Sequence, residues 1–105
     1  MMVENYEEVQ EILRRHRREL EEKYGVIHIG VFGSFGLGSQ RGDSDVDLIV
    51  RIDSKKDSYR NTLKLKNYLE SLLGRRVDII KEKVLERGIL PSFAKSVKRS
   101  FKSVF

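Results

Sequence analysis

The chain has no cysteine among its 105 residues, which excludes disulfides, zinc–thiolate centres and thiol nucleophiles and makes the reducing cytoplasm the expected compartment. It also has no apolar run approaching the length of a membrane span, and its first residues, MMVENYEEVQ, lack the basic and apolar regions of a signal peptide. A soluble protein without a membrane role is expected. Repeats, linkers and low-complexity tracts are missing as well. What is there suits one compact domain over residues 1–105, since 39% hydrophobic and 35% charged residues leave no room for a second core. The 21 Lys and Arg against 16 Asp and Glu give a net charge of +5, which favours polyanions: nucleotide phosphates, nucleic acid or an acidic protein surface.

Apolar residues Tyr6, Val9, Ile12, Leu13, Leu20 and Tyr24 recur at helical spacing and predict one helix over Glu4 to Tyr24, stopped by Gly25. VIHIGVF, Val26 to Phe32, reads as a largely buried strand, and DVDLIVRI, Asp45 to Ile52, as a second. SKKD then has the form of a capping box, with Ser54 as cap and Asp57 complementing the dipole of a helix that runs to about Leu73 and ends at Gly74. That helix is apolar at Tyr59, Leu63, Leu69, Leu72 and Leu73. RRVDIIKE, Arg75 to Glu82, is a third strand. The single proline, Pro91, breaks the chain ahead of a tail helix that carries Phe93, Val97, Phe101 and Val104 on one stripe among Arg87, Lys95, Lys98, Arg99 and Lys102.

Chemistry concentrates in GSFGLGSQRGDSDVDLIV, Gly33 to Val50. Side chains on a strand alternate faces, so Asp45 and Asp47 point the same way with α-carbons about 6.6 Å apart. If both stay ionised they repel by roughly 1 kcal/mol in water and about 4 kcal/mol when half-buried. Hard oxygen donors on a rigid strand suit Mg²⁺ or Mn²⁺, which complete their shells with water and substrate phosphates. Asp78, between Val77 and Ile79, supplies a third carboxylate if its strand lies beside the first, enough to hold two ions about 3.5 to 4 Å apart. Upstream, Gly33 and Ser34 follow a strand directly, where a small residue lets backbone N–H groups approach phosphate and a hydroxyl adds a further bond.

Together, Gly33-Ser34, Gly38, Ser44-Asp45, Asp47 and the later strand residue Asp78 resemble the nucleotidyltransferase superfamily related to DNA polymerase beta, most closely its minimal stand-alone members, the MntA-type antitoxins. The resemblance runs from about Val26 to Ile80. It implies an α/β (α+β) nucleotidyltransferase fold, a small mixed sheet flanked by helices, with ATP and Mg²⁺ bound and AMP passed to a hydroxyl. It further implies a HEPN-domain ribonuclease toxin as partner, with a tyrosine as acceptor. Many relatives carry Ala-Arg where this chain has Gly36-Leu37.

Several features also have plain explanations. Asp43, Asp45 and Asp47 mimic the start of a calcium-binding EF-hand loop, but Leu48 stands where glycine is needed and Ser54 where glutamate is. GSFGLG fits neither the Rossmann nor the P-loop pattern. Asp78 alone would be a surface residue or the partner of Arg76. His28 is expected as a packed or hydrogen-bonded core residue and His16 as a member of the first helix. The cluster Arg14, Arg15, Arg17 and Arg18 could touch nucleic acid, although a solvated face paired with glutamates is the commoner explanation. An apolar edge on the tail helix would serve a protein interface, self-association included. Two rival functions are a module that neutralises a partner by contact alone and an enzyme that adds nucleotides to RNA.

Overall fold

A computed structural model describes residues 2–87 and 91–105. Its elements are α1 (Tyr6–Arg15), α2 (Arg17–Tyr24), β1 (Val26–Phe32), α3 (Gly33–Leu37), β2 (Val46–Ile52), α4 (Tyr59–Leu73), β3 (Val77–Lys81), α5 (Glu82–Glu86), α6 (Pro91–Ser100) and β4 (Lys102–Ser103). The strands form a mixed sheet in the order β3-β2-β1-β4. β1 runs antiparallel to β2 and β4, while β2 and β3 are parallel. A parallel pair requires a crossover, and α4 supplies it.

The crossover helix forms for local reasons. The Ser58 hydroxyl accepts the Asn61 N–H at 3.1 Å, and Gly74 closes the far end at φ 68°. Leu65, Leu69 and Leu73 recur every fourth residue and are fully buried. They join Leu13, Leu20, Val31, Leu48 and Val50 in the main core, each buried leucine contributing about 2 kcal/mol. Strand alternation sends Ile49 to the opposite face, where Phe32, Ile49 and Val97 form a second cluster with Ile80 and Leu85.

Several expectations are corrected. The first helix breaks at His16, whose φ and ψ are −102° and 14°; its ring Nδ1 donates to the Ile12 carbonyl at 2.9 Å, which the His16 backbone N–H also uses. Ser54 does not cap α4, because Asp53 organises a separate turn by accepting the Lys55 N–H at 2.9 Å. The helix starts four residues later, and Asp57 instead pairs with Lys81 and Lys83, which hold its carboxyl below the usual range. His28 is exposed, because a bulge between Val26 and His28 turns it outward. Its Nδ1 lies 3.6 Å from Glu82.

The tail stripe does not lie on one helix. α6 ends at Ser100, and the chain then pairs with Gly30 and Val31 as β4. Val104 enters the main core, and the Phe101 ring sits over Gly30, where no Cβ would fit. Spacing of three or four residues cannot distinguish a helix from a helix followed by a sheet edge. On α1 and α2, Arg15, Arg17 and Arg18 pair with Glu11, Glu21 and Glu22 at 2.6, 3.0 and 3.1 Å. The basic cluster is a solvated, paired face.

One buried cation ties the start of β2 to the start of β3. The Arg75 guanidinium donates from Nε to the Val3 carbonyl at 2.6 Å and from an Nη to the carbonyls of Arg41, Gly42 and Ser44 at 3.1, 3.0 and 3.0 Å. It also lies 5.1 Å from the centroid of the Phe35 ring. Removing it leaves four carbonyls to find new donors. We expect Arg75→Ala to destabilise the protein by about 3 kcal/mol, read as a lower urea midpoint. Arg75→Lys should recover less than half of that loss, since one ammonium cannot reproduce the planar fork.

Candidate active site

The sheet register assembles the acidic residues. Phe32 on β1 pairs with Asp47 on β2, and Asp47 pairs with Asp78 on β3. Residues directly opposite in a sheet share a face, so the two carboxyls meet on the face opposite the main core. Burial pushes the Asp47 carboxyl up from 3.8 to about 6, helped by the charges of Asp78 and Asp45 and by a hydrogen bond with Asp78. Asp47 therefore holds a proton that it shares with Asp78. Asp45 stands one residue before β2 and lies 3.5 Å from Nε of Arg76. Among the described residues no three His, Cys, Asp or Glu side chains converge closely enough to hold a metal ion.

The donor chemistry nonetheless fits a hard divalent cation. Two carboxyls forced to share a proton offer the oxygens that such an ion replaces the proton to bind. Asp45 is held only by Arg76, whose side chain is 85% exposed, a pair worth less than about 1 kcal/mol. Gly33 leaves the room required: its φ is +69°, and a Cβ there would collide with Oδ2 of Asp47. Only glycine meets both demands.

The glycine turn is built differently from expectation. Instead of an irregular loop, Gly33 opens the short helix α3. Its N–H, expected to face phosphate, donates to the Ser100 hydroxyl at 3.0 Å. Ser100 is buried at the end of α6, and its hydroxyl reaches the Ser96 carbonyl at 3.2 Å. A Cβ on Gly36 would strike the Ser100 carbonyl, so the Gly36 position is explained by close approach of α3 to α6. Leu37 is exposed. Beyond it, Gly38 takes φ 77°, and the Ser44 hydroxyl accepts the Arg41 N–H at 2.8 Å. Arg75 gathers this loop from below.

Asp47 and Asp78 line one cleft of about 610 Å³, shared with Phe32, Tyr59, Lys66 and Phe93. That volume is within the range of small-molecule sites. Residues 13–104 match the family described as nucleotidyltransferase domain. The chain belongs to that family. It is 42% identical over 91 residues to the protein adenylyltransferase MntA of Thermococcus cleftensis, covering 87% of this chain and 91% of the relative. A solved structure described as a minimal nucleotidyltransferase superposes with a TM-score of 0.63 at 36% identity, over 89% of this chain and 93% of the other. The fold also matches a chain from the complex of tri-AMPylated HEPN toxin with MNT antitoxin from Shewanella oneidensis, with a TM-score of 0.58 at 18% identity over 91% and 71% of the chains.

The nucleotidyltransferase fold expected from the resemblance is thus present, and the chain is an enzyme of that class. Of the five residues singled out, the fold brings Asp47, Asp78 and Gly33 into contact range of one another and turns Asp45 toward Arg76. Ser34 is half-buried on α3. Sequence reasoning missed Arg75 and Ser100, which organise the loops on either side of this nucleotidyltransferase site. An arginine flanking a strand and a serine in a basic helix carry no local signal of that work.

The shared proton gives a signed pH dependence. The folded protein keeps the Asp47 proton up to about pH 6, whereas the unfolded chain releases it near 3.8. Stability of the metal-free protein should therefore fall as pH rises from about 4 to about 6 and level off above. Asp47→Asn should remove this part of the slope and melt higher than the parent at pH 7. The check is the difference between their melting temperatures across that range, in chelator.

Proposed function

We propose that this nucleotidyltransferase moves AMP from ATP to a tyrosine hydroxyl of a HEPN-domain toxin and so acts as its antitoxin. The observation that carries the reading is the in-register meeting of Asp47 and Asp78 beside a glycine that cannot be replaced. Support for the protein acceptor comes from the relative named protein adenylyltransferase MntA and from the likeness to the HEPN toxin–antitoxin complex. The paired arginines of α1 and α2 leave that surface without the free charge expected of an RNA-gripping face.

Asp45, Asp47 and Asp78 are the residues assigned to hold Mg²⁺, which when bound neutralises charge on the phosphates and favours ionisation of the acceptor hydroxyl. The acceptor oxygen attacks the α-phosphorus, the bond from that phosphorus to the bridging oxygen of the β-phosphate breaks, and pyrophosphate leaves. Asp78, the more exposed of the paired acids, takes the acceptor proton. Ser34, with the Gly33 turn, holds the triphosphate on the side away from the acceptor.

The test is incubation with labelled ATP, Mg²⁺ and a HEPN-domain partner encoded beside this gene. Label should appear on a partner tyrosine, and Asp47→Asn should abolish transfer while its melting curve remains cooperative. ATP with Mg²⁺ at a hundred times its dissociation constant should stabilise the parent by about 2.7 kcal/mol. Binding without any transfer to the partner would leave a module that acts by contact, and label on an RNA primer alone would overturn the protein acceptor.

A further inference from the structure

The cleft has an acidic end and a larger apolar end. Three large side chains that the cores leave uncovered all line it: Tyr59 at 84% exposed, Leu63 at 47% and Phe93 at 36%. This is no accident of one helix face. On α4, Leu65, Leu69 and Leu73 take the core side, while Tyr59, Thr62, Leu63 and Lys66, at spacings of three and four, form a second stripe in the cleft wall. α4 packs on β3 and α6 packs on β1, which are the two neighbours of β2. The apolar walls therefore flank the strand that carries Asp47. Phe93 meets Phe32 edge-on, with centroids 6.1 Å apart and planes at 80°, which sets the orientation of its ring.

Polar groups are sparse at this end. The Thr62 hydroxyl is committed to the Ser58 carbonyl at 2.9 Å, and Lys66 is the one basic side chain in the lining. We propose that Tyr59, Leu63 and Phe93 form the seat of the nucleobase, which holds it by stacking and apolar contact rather than by reading its hydrogen-bonding edge. The seat thus selects for ring area. Purines bind better than pyrimidines, and adenine is distinguished from guanine only slightly. The inference rests on the reading that the acidic end anchors the triphosphate, because that anchor is what presents a base to the adjoining apolar walls. A cleft of about 610 Å³ continuous with the acids has room for a whole nucleotide.

The probes are ATP, GTP, CTP, UTP and tripolyphosphate, titrated calorimetrically in Mg²⁺ into the parent, Tyr59→Ala, Tyr59→Phe and Phe93→Ala. ATP and GTP should bind within about threefold of each other, and both at least about fivefold tighter than CTP or UTP. Tyr59→Ala and Phe93→Ala should each weaken ATP about tenfold and leave tripolyphosphate unchanged, with Tyr59→Phe close to the parent. Both side chains are substantially exposed, and a melting curve for each variant confirms its fold. Unchanged ATP binding in both alanine variants, equal loss of ATP and tripolyphosphate, or CTP as tight as ATP would each overturn the base seat while leaving the triphosphate anchor standing. If the parent binds neither ATP nor tripolyphosphate, the anchor itself fails and the base seat falls with it.

Discussion

Everything at the acidic site depends on how β2 lies against β3. A parallel pair has no tight turn to set its register, and a slip of one residue would send Asp47 or Asp78 into the core face. Arg75 removes that freedom. It stands just ahead of β3 and binds three carbonyls just ahead of β2, while the Val46 N–H donates to the Arg76 carbonyl at 2.9 Å. The guanidinium also meets Val3 and the face of Phe35, so the N-terminal segment and α3 are referred to the same point. A single side chain sets the alignment from which the opposition of the two acids follows.

The site itself opposes stability. Two carboxyls are brought together on a half-buried surface, and the raised Asp47 titration records the result. Elsewhere the chain places its acids with cations: Asp57 between Lys81 and Lys83, and Glu82 and Glu86 with Arg51. Only at the end of the cleft are negative charges left to one another. Glycine at position 33 is the matching concession in the backbone, since any side chain there would displace Oδ2 of Asp47. Local rules that hold throughout the fold are broken at one place, which is where chemistry is expected.

How much of this was legible in the sequence depended on how local the cause was. The three main strands were readable because alternation and flanking glycines are local, and Gly25 and Gly74 marked helix ends for the same reason. The Asp45–Asp47 pair was readable because period two is a property of the strand alone. The start of α4 was misplaced by four residues, since Ser54 and Ser58 offer the same hydroxyl and only the turn at Asp53 decides between them. Tyr59 and Leu63 fitted the helical period but line the cleft, because periodicity gives a face without saying what covers it. The tail, the outward turn of His28 and the role of Arg75 all arise from partners distant along the chain.

Arg75 grips the loop before β2 through main-chain carbonyls, and every residue offers one of those. Side chains at Ser39, Arg41, Gly42 and Asp43 are exposed, and Gly42 has open space around it. That stretch is therefore free to drift in identity, and even to diversify toward different partners, while the catalytic carboxyls keep their places. Invariance in this lineage should settle on an arginine outside the signature and pass over much of the signature's own middle.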